Sequence, residues 1–243
     1  MGAGARNASS RERSLPRLRV FMRGLFITLE GPEGAGKSTQ ARLLFQRLQA
    51  VYPILHTREP GGTAIGERIR SLLLDEGRRE MTAQTEMLLF AASRAQFVYE
   101  VVEPALQAGQ LVLSERYIDT SLAYQGHARG LGIDVVRQVN AVASGGLKPD
   151  LTILLDIDPA VGLARARQAA GKEGRQGHGD RLEQEGVTFH GRVREGFLLL
   201  AREEPTRFRI VEGNRDPHAV HEEIADVVER FLRARGWRGS NSS

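Results

Sequence analysis

A chain of 243 residues with 41% apolar and 26% charged side chains is long enough for one α/β domain with a sizeable core. It has no cysteine, which excludes a disulfide framework, a thiol nucleophile and a thiolate metal site, and no apolar stretch approaches the length of a membrane span. The formal charge of +4 is uneven: residues 1–23 hold six arginines against one acid, a net +5, so the remainder is near −1 and the folded body is not a nucleic-acid binder by charge.

Residues 1–21 are rich in Arg, Ser, Gly and Ala without apolar periodicity. They read as a disordered basic tail or as an upstream start ahead of Met22, and they lack the apolar core of a secretory signal. Their Arg- and Ser-rich, acid-poor composition is also that of an organelle transit peptide. The apolar run at 25–29 reads as a buried strand, and 39–50 place Ala41, Leu44, Phe45 and Leu48 at helical spacing. Between them, Gly31, Pro32, Glu33, Gly34, Ala35, Gly36, Lys37, Ser38 and Thr39 fill every position of the Gly-x-x-x-x-Gly-Lys-Ser phosphate loop. A glycine turn from strand to helix points backbone N–H groups inward, and the helix dipole adds positive charge. Lys37 is expected at the β- and γ-phosphates of ATP, and the Ser38 hydroxyl on Mg²⁺.

A second strand at 54–57 ends in Arg58-Glu59-Pro60-Gly61-Gly62-Thr63, an irregular turn where open α/β sheets bind ligands. Taken alone, Arg58 and Glu59 are a solvated loop pair. Residues 64–74 read as a helix. Residues 82–106 read as a longer one, with Thr82 as N-cap and Pro104 ending or kinking it. Glu86, Phe90, Arg94 and Phe97 share one face of it, and Met87, Leu88, Ala91, Ala95 and Val98 cover another. The third strand, 111–114, ends in Glu115-Arg116-Tyr117: an acid placed to hold Mg²⁺ through water, and an arginine placed to clamp phosphate. A helix bearing Ser121, Tyr124 and Gln125 follows, then a helix at 134–143, a fourth strand at 151–155 and a helix at 160–170.

The segment 171–181 carries four glycines with Arg175 and Arg181, the composition of a phosphate-closing lid, here bounded at 171–183. Helices at 185–202 and 217–235 flank a fifth strand at 208–211, and residues 236–243 read as a frayed tail. His127, His178, His190 and His218 read as surface or loop residues. Five strands alternating with helices predict a parallel five-stranded sheet covered on both faces, of P-loop NTPase type, over residues 22–235.

Several separate stretches together resemble bacterial thymidylate kinases, over about residues 22–235: Gly-x-Glu-Gly-x-Gly-Lys-Ser, Thr-Arg-Glu-Pro-Gly-Gly-Thr, Phe-Ala-Ala-x-Arg-x-Gln, Ser-Glu-Arg-Tyr, Ser-x-Ala-Tyr-Gln-Gly, Lys-Pro-Asp-Leu and Asp-Arg-Leu-Glu. The resemblance implies ATP- and Mg²⁺-dependent phosphorylation of dTMP to dTDP in dTTP synthesis, by a cytoplasmic homodimer with no membrane or nucleic-acid partner. It implies that Phe90 stacks on thymine, that Arg94 and Gln125 bond its edge, and that Ser121 belongs to the same site. Tyr124 is then a gate against a ribose 2′-OH, and Glu33 reaches the 3′-OH. Arg58 and Arg116 hold the acceptor phosphate, and Lys37, Arg116 and a lid arginine, Arg175 or Arg181, carry catalysis. Two positions depart from the family pattern. Glu115 stands where Asp is usual, which bears on the metal's outer shell, and Ala35 is not basic, which leaves the catalytic arginine to the lid. No Asn-Lys-x-Asp guanine-reading stretch is present, which argues against a GTPase switch.

Overall fold

The computed structural model describes residues 23–78, 80–172 and 180–237. Arg175, His178, the tail at 1–21, most of the lid and most of 236–243 lie outside them. Five parallel strands, β1 (Phe26–Glu30), β2 (Ile54–Arg58), β3 (Leu111–Glu115), β4 (Leu151–Asp156) and β5 (Phe208–Glu212), lie in the order β2-β3-β1-β4-β5. The apolar run of β1 has a simple cause: it is central, and all five residues are buried.

Alternation along β1 divides the core. Ile27 and Leu29 point to a layer with α1 (Lys37–Leu48) and the C-terminal helix α9 (Pro217–Ala234). Phe26 points to the opposite layer, against Phe97, Val102, Leu106 and Tyr117. On that side the sheet also buries a polar knot. Arg207 donates to both Asp119 oxygens, at 2.7 and 2.9 Å, and to Thr152 Oγ1 at 2.7 Å. Thr152 in turn meets Thr28 at 3.0 Å. A buried charge is tolerated here because its partner is bidentate.

The helix expected at 82–106 is three pieces: α3 (Ala83–Phe97), a π-helical turn (Val98–Val102) and α4 (Glu103–Gln107). Thr82 caps it, its Oγ1 accepting from the Thr85 N–H at 3.2 Å. Pro104 has no N–H and would crowd the carbonyl one turn back, and the wider π turn lets the helix continue past it. Of the second face, Leu88 is exposed while Met87 and Ala91 are buried.

A second π turn, Leu122–Ala128, follows the short helix α5 (Ile118–Ser121). It packs on α8 (Val187–Glu203) at Gly196, where a Cβ would lie 3.0 Å from His127 Cβ and 3.1 Å from Ala123 Cα. The remaining helices are α2 (Ala64–Leu74), α6 (Ile133–Ser144) and α7 (Pro159–Lys172). His190 on α8 is buried, contrary to the surface reading, with Nε2 donating to Leu182 O at 3.1 Å. Its neighbours Phe189 and Tyr124 make an aromatic cluster that an isolated His in the sequence does not reveal.

Helix α7 presses on the phosphate loop. A Cβ at Gly162 would lie 2.3 Å from Glu33 O, and one at Gly34 only 1.9 Å from Gly162 O. Gly162→Ala is therefore expected to destabilise the fold by about 1–3 kcal/mol in urea unfolding, despite alanine's better helix propensity. An unchanged or raised midpoint would show that the contact relaxes freely.

Candidate active site

The strand ends of β1, β2 and β3 open onto a pocket of about 760 Å³. The phosphate loop forms one wall. Gly31, Gly34 and Gly36 have φ of +144°, +68° and +92°, a backbone that only glycine adopts without strain. Lys37 Nζ folds over the loop and donates to Gly31 O at 3.0 Å and Pro32 O at 2.7 Å. Burial and the Arg116 charge depress the Lys37 ammonium to about 8. Both effects favour meeting an anion, whose charge would restore the proton affinity.

Facing the loop, Arg116 adopts φ +65°, the one left-handed residue other than glycine among the described residues. A left-handed non-glycine residue costs on the order of 1–3 kcal/mol and tends to mark a functional site. The conformation turns the guanidinium back over the loop. Nη1 donates to Gly31 O at 3.3 Å and Thr120 Oγ1 at 3.2 Å, and Nη2 pairs with Glu33 Oε1 at 2.5 Å. The Tyr124 hydroxyl donates to the same Glu33 oxygen at 2.9 Å. Burial alone would raise the Glu33 pKa, but Arg116, Lys37 and Tyr124 outweigh it and bring the carboxyl down to about 2.

Ser38 Oγ donates to Glu115 Oε2 at 2.5 Å, and His56 Nε2 lies 3.1 Å from Glu115 Oε1. Against the effect of burial, these two hydrogen bonds hold Glu115 below its ordinary value, so it is a carboxylate. A hydroxyl and a carboxylate side by side suit a hard, oxygen-preferring cation that takes its remaining ligands from phosphate and water. His56 was not singled out in the sequence. The β2–β3 register, with His56 opposite Leu113, brings it next to Glu115.

The far wall carries Arg58, Arg70, Phe90 and Tyr124. Arg58 is half exposed and bonded through Nη2 to both Glu67 oxygens at 3.0 and 3.1 Å. Arg70 donates to Pro60 O at 3.0 Å across the turn that follows the cis Glu59–Pro60 peptide. Burial, Arg58 and Arg116 all lower the Arg70 pKa, so three cations converge on one cavity. Arg70 escapes a motif-based reading because its signal is only a position on α2, three residues after Glu67.

Arg94, Ser121 and Gln125 are buried, Arg94 bonded to Ser121 and Gln125 to Glu86. Arg94 donates from Nε to Glu59 Oε2 at 3.2 Å, from Nη1 to Asn140 Oδ1 at 2.5 Å and from Nη2 to Ser121 Oγ at 2.9 Å. The expectation that Arg181 closes over the phosphates needs correction. Its Nε donates to Leu73 O at 2.9 Å, and Nη2 lies 2.6 Å from the buried Glu86 carboxylate. A carboxylate shielded from water holds that cation away from the phosphate loop. Arg165 and Arg215, not singled out in the sequence, line the pocket beside the loop instead.

The family model described as thymidylate kinase matches residues 29–224. The chain is 53% identical to the thymidylate kinase of Deinococcus radiodurans over 209 residues, 85% of this chain and 98% of that one. It is 52% identical to that of Halothermothrix orenii over 212 residues, 87% and 99% of the two chains. The crystal structure of thymidylate kinase from Ehrlichia chaffeensis superposes with a TM-score of 0.68 at 30% identity, covering 85% of this chain and 99% of that one.

The Glu33 ion pair gives a pH-dependent stability. The folded state holds the carboxyl near 2, against 4.5 when free, so its contribution is complete above about 4.5 and is lost as pH falls toward 2. Glu33→Gln should lower the unfolding free energy by on the order of 2 kcal/mol at pH 7 and by progressively less toward pH 3, in urea melts. A difference that does not vary with pH would rule out the ion pair as its cause.

Proposed function

The chain belongs to the thymidylate kinase family and phosphorylates dTMP to dTDP with ATP, a transferase step of nucleotide biosynthesis, and we propose how its pocket divides that task. Residues 31–39 hold the ATP phosphates, with Lys37 at the β/γ bridge. Ser38 and Glu115 would hold Mg²⁺, which would supply positive charge against the ATP phosphates. Opposite, Phe90 stacks on the base, Arg94, Ser121 and Gln125 form its polar edge, and Glu33 takes the sugar 3′-OH. Tyr124, pinned by Glu33, fills the space on the 2′ side.

Arg58, Arg70 and Arg116 receive the acceptor phosphate. One of its oxygens attacks the γ-phosphorus, the bond from the γ-phosphorus to the bridging oxygen breaks, and ADP leaves. The nucleophile is already an anion, so no general base is required. The protein supplies alignment and positive charge, through Lys37 and Arg116, at the group in flight. Arg175 remains the lid cation proposed for the phosphates, with Arg165 and Arg215 on the pocket wall as further donors.

One observation carries this reading: a complete phosphate loop faces a second group of arginines across a single cavity, the layout that transfer between two anions requires. We assign residues 22–235 to one catalytic domain with its lid at 171–183. No helix among the described residues is long and apolar enough to cross a membrane. A cytoplasmic setting fits substrates that are both nucleotides. Exposed Leu88, Tyr99 and Val142, on α3, the π turn after it and α6, support a homodimer formed through this face.

ADP release measured with ATP and Mg²⁺ across dTMP, dUMP, UMP, AMP, CMP and GMP tests the assignment. Strong preference for dTMP is expected, and ADP release independent of any acceptor would overturn it. Lys37→Ala should reduce kcat/KM by at least about 10²-fold with the fold retained by circular dichroism. Tyr124→Ala should narrow the preference for dTMP over UMP, and an unaltered ratio would remove the sugar gate.

A further inference from the structure

Glu86 lies one helical turn before Phe90 on α3 and is fully enclosed. Its carboxylate collects four nitrogens. Gln125 Nε2 donates to Oε1 at 2.8 Å, and Arg129 donates from Nε to Oε1 at 3.3 Å and from Nη2 to Oε2 at 3.1 Å. Arg181 Nη2 pairs with Oε2 at 2.6 Å. Burial would push this carboxyl up, yet Arg129, Gln125 and Arg181 outweigh it and the group lies below its ordinary value, hence ionised.

An ionised carboxylate can only accept hydrogen bonds. The Gln125 amide therefore has one allowed orientation, with the NH₂ toward Glu86 and the oxygen away from it. That oxygen is buried and has no hydrogen-bond partner among the described residues. Native proteins rarely leave such an atom unsatisfied, and one that is left calls for a ligand or another explanation. Gln125 immediately follows Tyr124, which lines the pocket.

We propose that Glu86 is a positioning residue for base specificity: it locks the Gln125 amide so that an acceptor, and never a donor, is offered to the base of the acceptor nucleotide. The matching ligand is a pyrimidine monophosphate whose ring N3 carries a proton, as in thymine and uracil. Cytosine presents a bare N3 lone pair and is refused, because two acceptors would face each other at a buried amide. The inference rests on the assignment of Gln125 to the base edge made above.

The test is the ratio of kcat/KM for dTMP to that for dCMP. Glu86→Gln replaces an obligate acceptor with a group that also donates, so the Gln125 amide can turn over. The ratio is expected to fall at least tenfold, mostly through KM, whereas Glu86→Asp, which stays an acceptor, should keep most of it. In a Gln125→Met background, Glu86→Gln should change the ratio no further. A ratio that holds in Glu86→Gln but falls in Gln125→Met overturns the role of Glu86 and leaves Gln125 at the base. A ratio that holds in Gln125→Met overturns the base-edge assignment itself.

Removing the charge leaves Arg129 and Arg181 without their buried partner, so Glu86→Gln is liable to unfold. The wild-type enzyme provides a second route. The isostere 3-deaza-dTMP, with a C–H in place of the ring N–H, should bind at least tenfold more weakly than dTMP by calorimetry. Equal affinity would overturn the proposal.

Discussion

The pocket depends on the contact between a glycine loop and the helix behind it. Gly34 and Gly162 approach so closely that neither position has room for a methyl group. That contact holds the phosphate loop between the end of β1 and α7. Lys37 then closes on the loop's own carbonyls, and Arg116 closes on Gly31 and Glu33. A loop held by its own packing and hydrogen bonds spends little of a ligand's binding free energy on ordering, and electrostatic catalysis depends on such preorganisation.

Charge in the cavity is balanced in pairs. Glu33 answers Arg116, Glu67 answers Arg58, and Glu115 sits with Ser38 and His56. Arg70 donates to a backbone carbonyl, at Pro60. An incoming dianion thus meets cations that are already held in place.

Much of this was legible in the sequence because the signals were local. Each of the five expected strands falls within a residue of its observed bounds; in the inner strands β1, β3 and β4, burial on both faces leaves a mostly apolar run. The cap at Thr82 is similarly local. The phosphate loop is a contiguous motif. What escaped was set by partners far away in the chain. Arg181 is captured by Glu86, His190 is enclosed by Leu182 and Tyr124, and His56 reaches Glu115 only through sheet register. The two π turns add a residue to a helix without altering its composition, so a pattern of period 3.6 passes over them. The burial of Arg94, Ser121 and Gln125 depends on packing that no spacing encodes.

The sheet order has a consequence for synthesis on the ribosome. Strand β1 is made early yet pairs only with β3 and β4, Phe26 with Val112 and Ile27 with Leu151. The loop that follows β1 then waits for Gly162 to press against it. A nascent chain therefore carries its whole phosphate motif outside the ribosome long before that motif can hold a nucleotide. Everything from β1 to Gly162 must emerge first. Cellular ATP, which can stabilise only a state that binds it, has no hold on the early chain and acts as a folding ligand only once α7 has emerged.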